Sequence, residues 1–218
     1  MSNNKVAFIT GAGRGMGETI ALELALQGIS IVVTDINMEN ASDTVRKIKE
    51  NGGEAFAVRC DVTNLSDVNL AVEKAIEKYG TIDILVNNAG WEKVEPFLKS
   101  KPETWDRIIK INLLGTIHTC KAILPIMIEK NRGKVINISS DAGRVGSVGE
   151  AVYSGAKGGV IAFSKTLARE MAKHHINVNC VAPGPTDTPL FAEMVNDNLK
   201  AAFEKNIPFK RLAKTEDI

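Results

Sequence analysis

The chain has 218 residues, a length that suits one α/β domain. Its composition, 44% hydrophobic and 24% charged, is that of a globular protein and argues against disorder. Lys and Arg total 27 against 26 for Asp and Glu, a formal net charge of +1, which offers no field for wrapping nucleic acid or coating an anionic membrane.

The first strand is predicted at Val6–Thr10, a continuous apolar run of the kind buried on both faces of a sheet. Thr10-Gly11-Ala12-Gly13-Arg14-Gly15-Met16-Gly17 follows it and opens a helix over Met16–Gln27, with Ile20, Leu24 and Gln27 near one face. Glycines there let the backbone turn tightly and approach a pyrophosphate at a helix N-terminus. A second strand, Ile31–Thr34, leads into Asp35-Ile36. A carboxylate at that place accepts from both hydroxyls of an adenosine ribose and repels a 2′-phosphate, so the expected cofactor is NAD rather than NADP. Arg14 pulls the other way, as a cation able to hold that phosphate.

A helix over Asn37–Asn51 ends at Gly52-Gly53, a strand over Ala55–Cys60 leads to Asp61-Val62, and a helix over Ser66–Tyr79 ends at Gly80. The strand Ile82–Val86 runs into Asn87-Asn88-Ala89-Gly90. The long helix Glu103–Lys130 contains Pro125, which is expected to kink or divide it. Strands Lys134–Ser139 and Asn177–Val181 flank a second long helix, Val152–His174. Six strands separated by helices predict a parallel, doubly wound α/β sheet in a single domain, 1–218. No apolar run reaches the roughly 18 residues of a membrane helix, and MSNNKVAFIT lacks the regions of a secretory signal. Cys60, Cys120 and Cys180 are scattered and read as buried thiols of a reducing cytoplasm. His118 and the adjacent His174-His175 lack the spacing of metal ligands, so no metal is expected.

Tyr153 and Lys157 lie one helical turn apart and share a face. Ser140 ends the preceding strand, and Asn112 lies in the helix before that. Moving a hydride to a carbonyl requires a proton donor at its oxygen, and the reverse reaction requires a base. A tyrosine ionises near pH 10, so a basic Tyr153 must be brought down by about 3 pH units, and a neighbouring ammonium has the sign to do so.

These residues, with the TGxxxGxG loop, Asp61-Val62 and the NNAG string, resemble the short-chain dehydrogenase/reductase family. The resemblance implies a Rossmann-type fold with strand order 3-2-1-4-5-6. It makes Tyr153 the general acid/base and Lys157 its electrostatic partner and a ligand of the nicotinamide ribose. Ser140 then hydrogen-bonds the substrate oxygen, and Asn112 holds a water linking the lysine to solvent. Asp61 and Val62 contact adenine, while Asn88, Ala89 and Gly90 form the cofactor floor. Pro183-Gly184 passes the nicotinamide, with Thr188 or Thr186 on its carboxamide. Family members run to about 250 residues, and the chain stops at a phrase that normally begins the helix before a seventh strand. That helix and strand are therefore expected to be missing, leaving an open edge at the sixth strand. The family pairs through its two long helices, which implies a dimer or tetramer.

Trp91, Val145 and Phe191 are candidate walls of an apolar substrate pocket, and Arg144 a candidate partner of an anionic group. The strings NNAGW, SDAGRVGSVGEAVY, AFSKTLARE and GPTDT resemble the branch of the family that oxidises cyclic 2-hydroxyacyl-CoA thioesters, the 2-hydroxycyclohexanecarboxyl-CoA dehydrogenases. The expected activity is that NAD-dependent oxidation, in the cytoplasm. The alternatives are an NADPH-dependent 3-oxoacyl-[acyl-carrier-protein] reductase and a nucleotide sensor without catalysis.

Overall fold

Strands of unbroken Val, Ile and Ala need cover on both faces, and the helices between them supply it. The computed structural model describes residues 5–195 and 197–218. The strands are β1 (Val6–Thr10), β2 (Ser30–Asp35), β3 (Ala55–Arg59), β4 (Ile84–Asn87), β5 (Gly133–Ile138) and β6 (Ile176–Val181). They form one sheet in the order β3-β2-β1-β4-β5-β6, every pairing parallel. This is the Rossmann-type arrangement. The direction of winding switches between β1 and β4, and the C-terminal ends of these strands open a crevice there. The helices are α1 (Gly15–Leu26), α2 (Met38–Glu50), α3 (Leu65–Tyr79), α4 (Pro102–Ile109), α5 (Gly115–Glu129), α6 (Ala142–Val145), α7 (Ala151–Met171), α8 (Pro189–Met194) and α9 (Asp197–Asn206).

Successive residues of a strand face opposite sides, and each side has its own core. Phe8, Val32, Leu85 and Val135 pack with Val68, Ile123, Met127 and Leu167 of α3, α5 and α7. Ala7, Ile9, Ile31 and Val33 pack with Ala21, Ala41, Val45 and Ile48 of α1 and α2. The stripe that α1 buries is Gly17, Ala21 and Ala25, with Ile20 and Leu24 only partly covered. Small residues win because they let this helix sit close to the sheet.

The first long helix is interrupted, but not at its proline. A π-turn at Lys110–Leu114 separates α4 from α5, whereas α5 runs through Pro125. Pro125 lies on the exposed side, where water can satisfy the carbonyl that loses its N–H partner. The whole stretch Pro102–Glu129 has the length and apolarity of a bilayer span. Its Ile108, Cys120, Ile123 and Met127 are nevertheless buried within the fold.

Beneath the crevice runs a chain of buried polar side chains. Asn87 on β4 donates to Asn137 Oδ1 on β5 at 2.8 Å, and Asn137 donates to Ser164 Oγ on α7 at 2.8 Å. Thr119 on α5 donates to Asn87 Oδ1. Four elements are thereby joined side chain to side chain in an interior where an unpaired polar group costs about 1–3 kcal/mol. Asn137→Ala removes the acceptor of Asn87 Nδ2 and the donor to Ser164 Oγ, which keeps its bond to Val160 O. Urea unfolding is expected to show a loss of about 3 kcal/mol, with the native state still formed.

Candidate active site

The loop after β1 is shaped by contact with the loop after β4. Thr10 Oγ1 accepts from the backbone N–H of Asn88 (3.0 Å) and of Ala89 (3.1 Å). Asn88 Nδ2 donates back to the carbonyls of Thr10 (3.1 Å) and Gly11 (3.0 Å). Gly11 has φ +59°, and a Cβ there would lie 2.8 Å from Ala89 Cα; one on Gly17 would overlap Gly11 O and Asn88 Nδ2. Thr10, Gly13 and Gly17 thus set the shape of the loop from behind. Gly11, Arg14, Gly15 and Met16 line a cleft of about 320 Å³ in front of it.

Asp35, Ile36, Asp61 and Val62 close one end of that cleft, and Asn88, Ala89, Gly90 and Trp91 form its floor and wall. The Asp35 carboxylate accepts from Gly13 N (3.0 Å) and Asn37 N (2.9 Å). Asp61 Oδ1 accepts from the N–H and hydroxyl of Thr63 at 2.9 and 2.7 Å. Arg14 pairs with Glu193 of α8 at 2.5 Å across the rim. A dinucleotide fits this cradle. The glycines leave no side chain in its path, and Asn88 Oδ1 is buried beside the cleft without a protein partner.

A second cavity, of about 280 Å³, adjoins the first, and Tyr153 lines both. Ser140, Pro183, Gly184 and Thr186 lie on its near side, and Val145, Leu190, Phe191, Met194 and Phe203 supply apolar walls. The phenol of Tyr153 interacts with the side chains of Ser140 and Glu92. Lys157 is 4% exposed; its Nζ donates to Ile138 O at 2.8 Å and lies 5.7 Å from the Tyr153 ring centre. Ser139 Oγ donates to Lys157 O at 2.8 Å, which fixes α7 to the end of β5 a second time.

The electrostatics differ from the expectation that the lysine brings the phenol down. Burial raises the Tyr153 phenol above its ordinary value; the Glu92 charge adds to that rise, and Ser140 opposes it. Burial also lowers Lys157, to about 8. One turn of helix places the two residues on one face, but desolvation outweighs their attraction while the ammonium is turned to Ile138. Burial raises Glu92 as well, to about 7, with Glu150 adding to it and Tyr153 and Lys157 opposing.

Three further site residues stand as follows. The Asn112 side chain is anchored to the backbone of Trp91 and Ile108. Its Nδ2 donates to Trp91 O (2.6 Å) and Ile108 O (2.9 Å), and its Oδ1 accepts from Trp91 N (3.3 Å). Arg144 faces away from Tyr153 into a groove between α7 and β6, and pairs with Asp141 at 3.1 Å. Trp91 lines the first cleft rather than the second, with the Arg107 guanidinium 3.9 Å from its ring centre. Val145 and Phe191 do line the second cavity. Of the two threonines, Thr186 lines the second cavity and is buried, its hydroxyl donating to Gly184 O at 3.0 Å. Thr188 lines both cavities and caps α8 by accepting from Phe191 N at 3.2 Å.

The family model described as short chain dehydrogenase matches residues 5–199. The chain belongs to the short-chain dehydrogenase family. It is an oxidoreductase of alcohol and ketone groups. It is 40% identical to a 3-oxoacyl-[acyl-carrier-protein] reductase of Synechocystis sp. over 98% of this chain and 85% of that one. It is 36% identical to one of Thermotoga maritima over 98% and 87%. Among solved structures it resembles a variant of actinorhodin polyketide ketoreductase with NADPH, at TM-score 0.94 and 31% identity, over 100% of this chain and 88% of that one.

These likenesses correct two expectations. The relatives are carrier-protein reductases, which overturns the cyclic hydroxyacyl-CoA dehydrogenase; the physical reason is that Trp91 and Arg144, two of its supposed pocket residues, lie outside the second cavity. The NADPH of the similar ketoreductase overturns the preference for NAD. Asp35 accepts one backbone amide at each oxygen, from Gly13 and Asn37. Two residues that line these spaces were not singled out from sequence, Glu92 in the second cavity and Arg107 in the first cleft. Neither belongs to a motif, and only the folded loop brings them to the clefts. A single methyl group tests the cradle: Gly17→Ala is expected to weaken binding of a nicotinamide dinucleotide at least ~10-fold and destabilise the fold by about 1–3 kcal/mol, read by fluorescence titration and thermal melting.

Proposed function

We propose that this short-chain dehydrogenase is a 3-oxoacyl-[acyl-carrier-protein] reductase that uses NADPH. The observation that carries the reading is Tyr153, which stands where the first cleft meets a cavity with apolar walls. A phenol held above its ordinary value stays an acid at neutral pH, the form that ketone reduction requires. Among the described residues, the cavity carries carboxyls at Glu92, Asp141 and Glu150 and no lysine or arginine. It therefore suits an uncharged acyl chain, with the carrier and its phosphate left outside.

Gly11, Gly15, Met16, Asn88 and Gly90 would hold the cofactor, and NADPH when bound supplies the hydride. The hydroxyls of Tyr153 and Ser140 face the cavity together and would both donate to the ketone oxygen. As negative charge develops on that oxygen, Tyr153 gives up its proton and Ser140 keeps its hydrogen bond. Lys157, with its value near 8, remains mostly cationic at neutral pH and stabilises the phenolate that is left. For the 2′-phosphate, Arg14 is the cation at the ribose end, one residue from the Gly13 amide that holds Asp35.

Tyr153→Phe is expected to lower the rate of NADPH-dependent reduction of a 3-oxoacyl thioester by about 10²–10⁴-fold, with NADPH binding retained; full activity would remove the assignment. Arg14→Ala removes one charge-assisted contact, so the KM for NADPH is expected to rise about 10-fold while that for NADH stays put. Steady-state kinetics with the two cofactors read the difference.

A further inference from the structure

Arg14 is the cation at hand for a 2′-phosphate, yet its guanidinium is already engaged. Its Nη1 donates to Glu193 Oε1 at 2.5 Å and its Nη2 lies 3.4 Å from Glu193 Oε2, so one fork meets one carboxylate. A phosphate presents a similar pair of oxygens to such a fork. The two anions therefore cannot use that edge of the guanidinium together. The side chains are 45% and 56% exposed, so a phosphate arriving from solvent can reach the pair. Glu193 comes to it from α8, 179 residues away in the sequence.

We propose that Glu193 is a specificity-determining residue for the cofactor: its carboxylate competes with the 2′-phosphate for Arg14 and so lowers the preference for NADPH over NADH. The proposal rests on the reading above, in which NADPH is the cofactor and Arg14 the partner of its 2′-phosphate. NADH carries a hydroxyl at that place and leaves the Arg14–Glu193 pair intact. NADPH must break the pair before its phosphate gains the guanidinium. An exposed ion pair is weak, so the competition narrows the preference without reversing it.

The other charges of the cleft leave this contest to Arg14. Among the described residues that line it, the remaining cations are Arg107, stacked on Trp91, and Lys157, turned to Ile138 O. Asp35 and Asp61 add negative charge to the cleft. The hydrogen bond from Glu193 and, more weakly, the Asp35 charge raise Arg14 above its ordinary value, so the guanidinium stays cationic with either partner.

Adenosine 2′,5′-bisphosphate and 5′-AMP differ only in the 2′-phosphate and need no turnover, so their binding to the whole protein tests the proposal by calorimetric titration. Glu193→Gln keeps the shape of the side chain and removes its charge. It is expected to bind the bisphosphate about 2–5-fold more tightly than the unaltered protein does, with 5′-AMP unchanged. In an Arg14→Ala background the same substitution is expected to bring no gain, because the carboxylate then has no guanidinium to occupy. An equal gain in both backgrounds would mean charge repulsion without competition and would overturn the proposal. So would the absence of any gain in Glu193→Gln where Arg14→Ala by itself weakens the bisphosphate; the NADPH reading would then stand alone. If the unaltered protein binds the bisphosphate no more tightly than 5′-AMP, and Arg14→Ala changes neither, the NADPH reading fails and the competition fails with it.

Discussion

The chain of buried amides and hydroxyls from Thr119 through Asn87 and Asn137 to Ser164 is the constraint on which the site depends. Each member lies a short distance down an element that ends, or passes, at the crevice. Asn87 is followed by Asn88, which lines the first cleft, and Asn137 by Ser139 and Ser140. Thr119 lies on the helix that continues from the turn carrying Asn112, and Ser164 lies two turns beyond Lys157. Hydrophobic packing alone would let these elements slide, because apolar contacts have no direction. Hydrogen bonds in a dry interior do have one, and a slip of either helix would leave several of them unmade.

Desolvation is the second organising force. It pushes the Cys60 and Cys120 thiols up to about 12, which makes them packing groups rather than nucleophiles. It moves Tyr153 up and Lys157 down, so each is biased toward its neutral form. Charge in the pocket is then set by the few polar contacts that remain, chiefly Ser140 and Glu92 on the phenol and Ile138 O on the ammonium. A site of this kind responds strongly to a bound charge, since little solvent is present to screen it.

Much of this was legible in the residues. The alternation of apolar runs and helical stretches carried the parallel sheet, and every strand lies within about two residues of its predicted place. The glycine string and NNAG owe their legibility to backbone sterics, which act locally and permit few substitutes. The pairing of Tyr153 with Lys157 was visible as one helical turn. What stayed hidden depended on direction in three dimensions. The break in the first long helix falls at Lys110–Leu114, where no proline announces it. Arg144 and Trp91 stand beside motif residues yet turn into other spaces. The direction of the Tyr153 shift follows from how deeply α7 is buried, which no spacing reveals. Glu92 matters only because the loop after β4 folds back toward α7.

The stacking of Arg107 on Trp91 has an optical consequence. The chain has two tryptophans. Trp105 lies against Phe97, with ring centres 5.5 Å apart, and lines a small pocket that shares Glu150 and Tyr153 with the second cavity. Trp91 alone stands in the wall of the dinucleotide cleft. An indole whose emission is tuned by an adjacent guanidinium, and whose surroundings change when the cleft fills, is an intrinsic gauge of occupancy. The protein thereby carries a chromophore that reports on the first cleft, without any label attached to it.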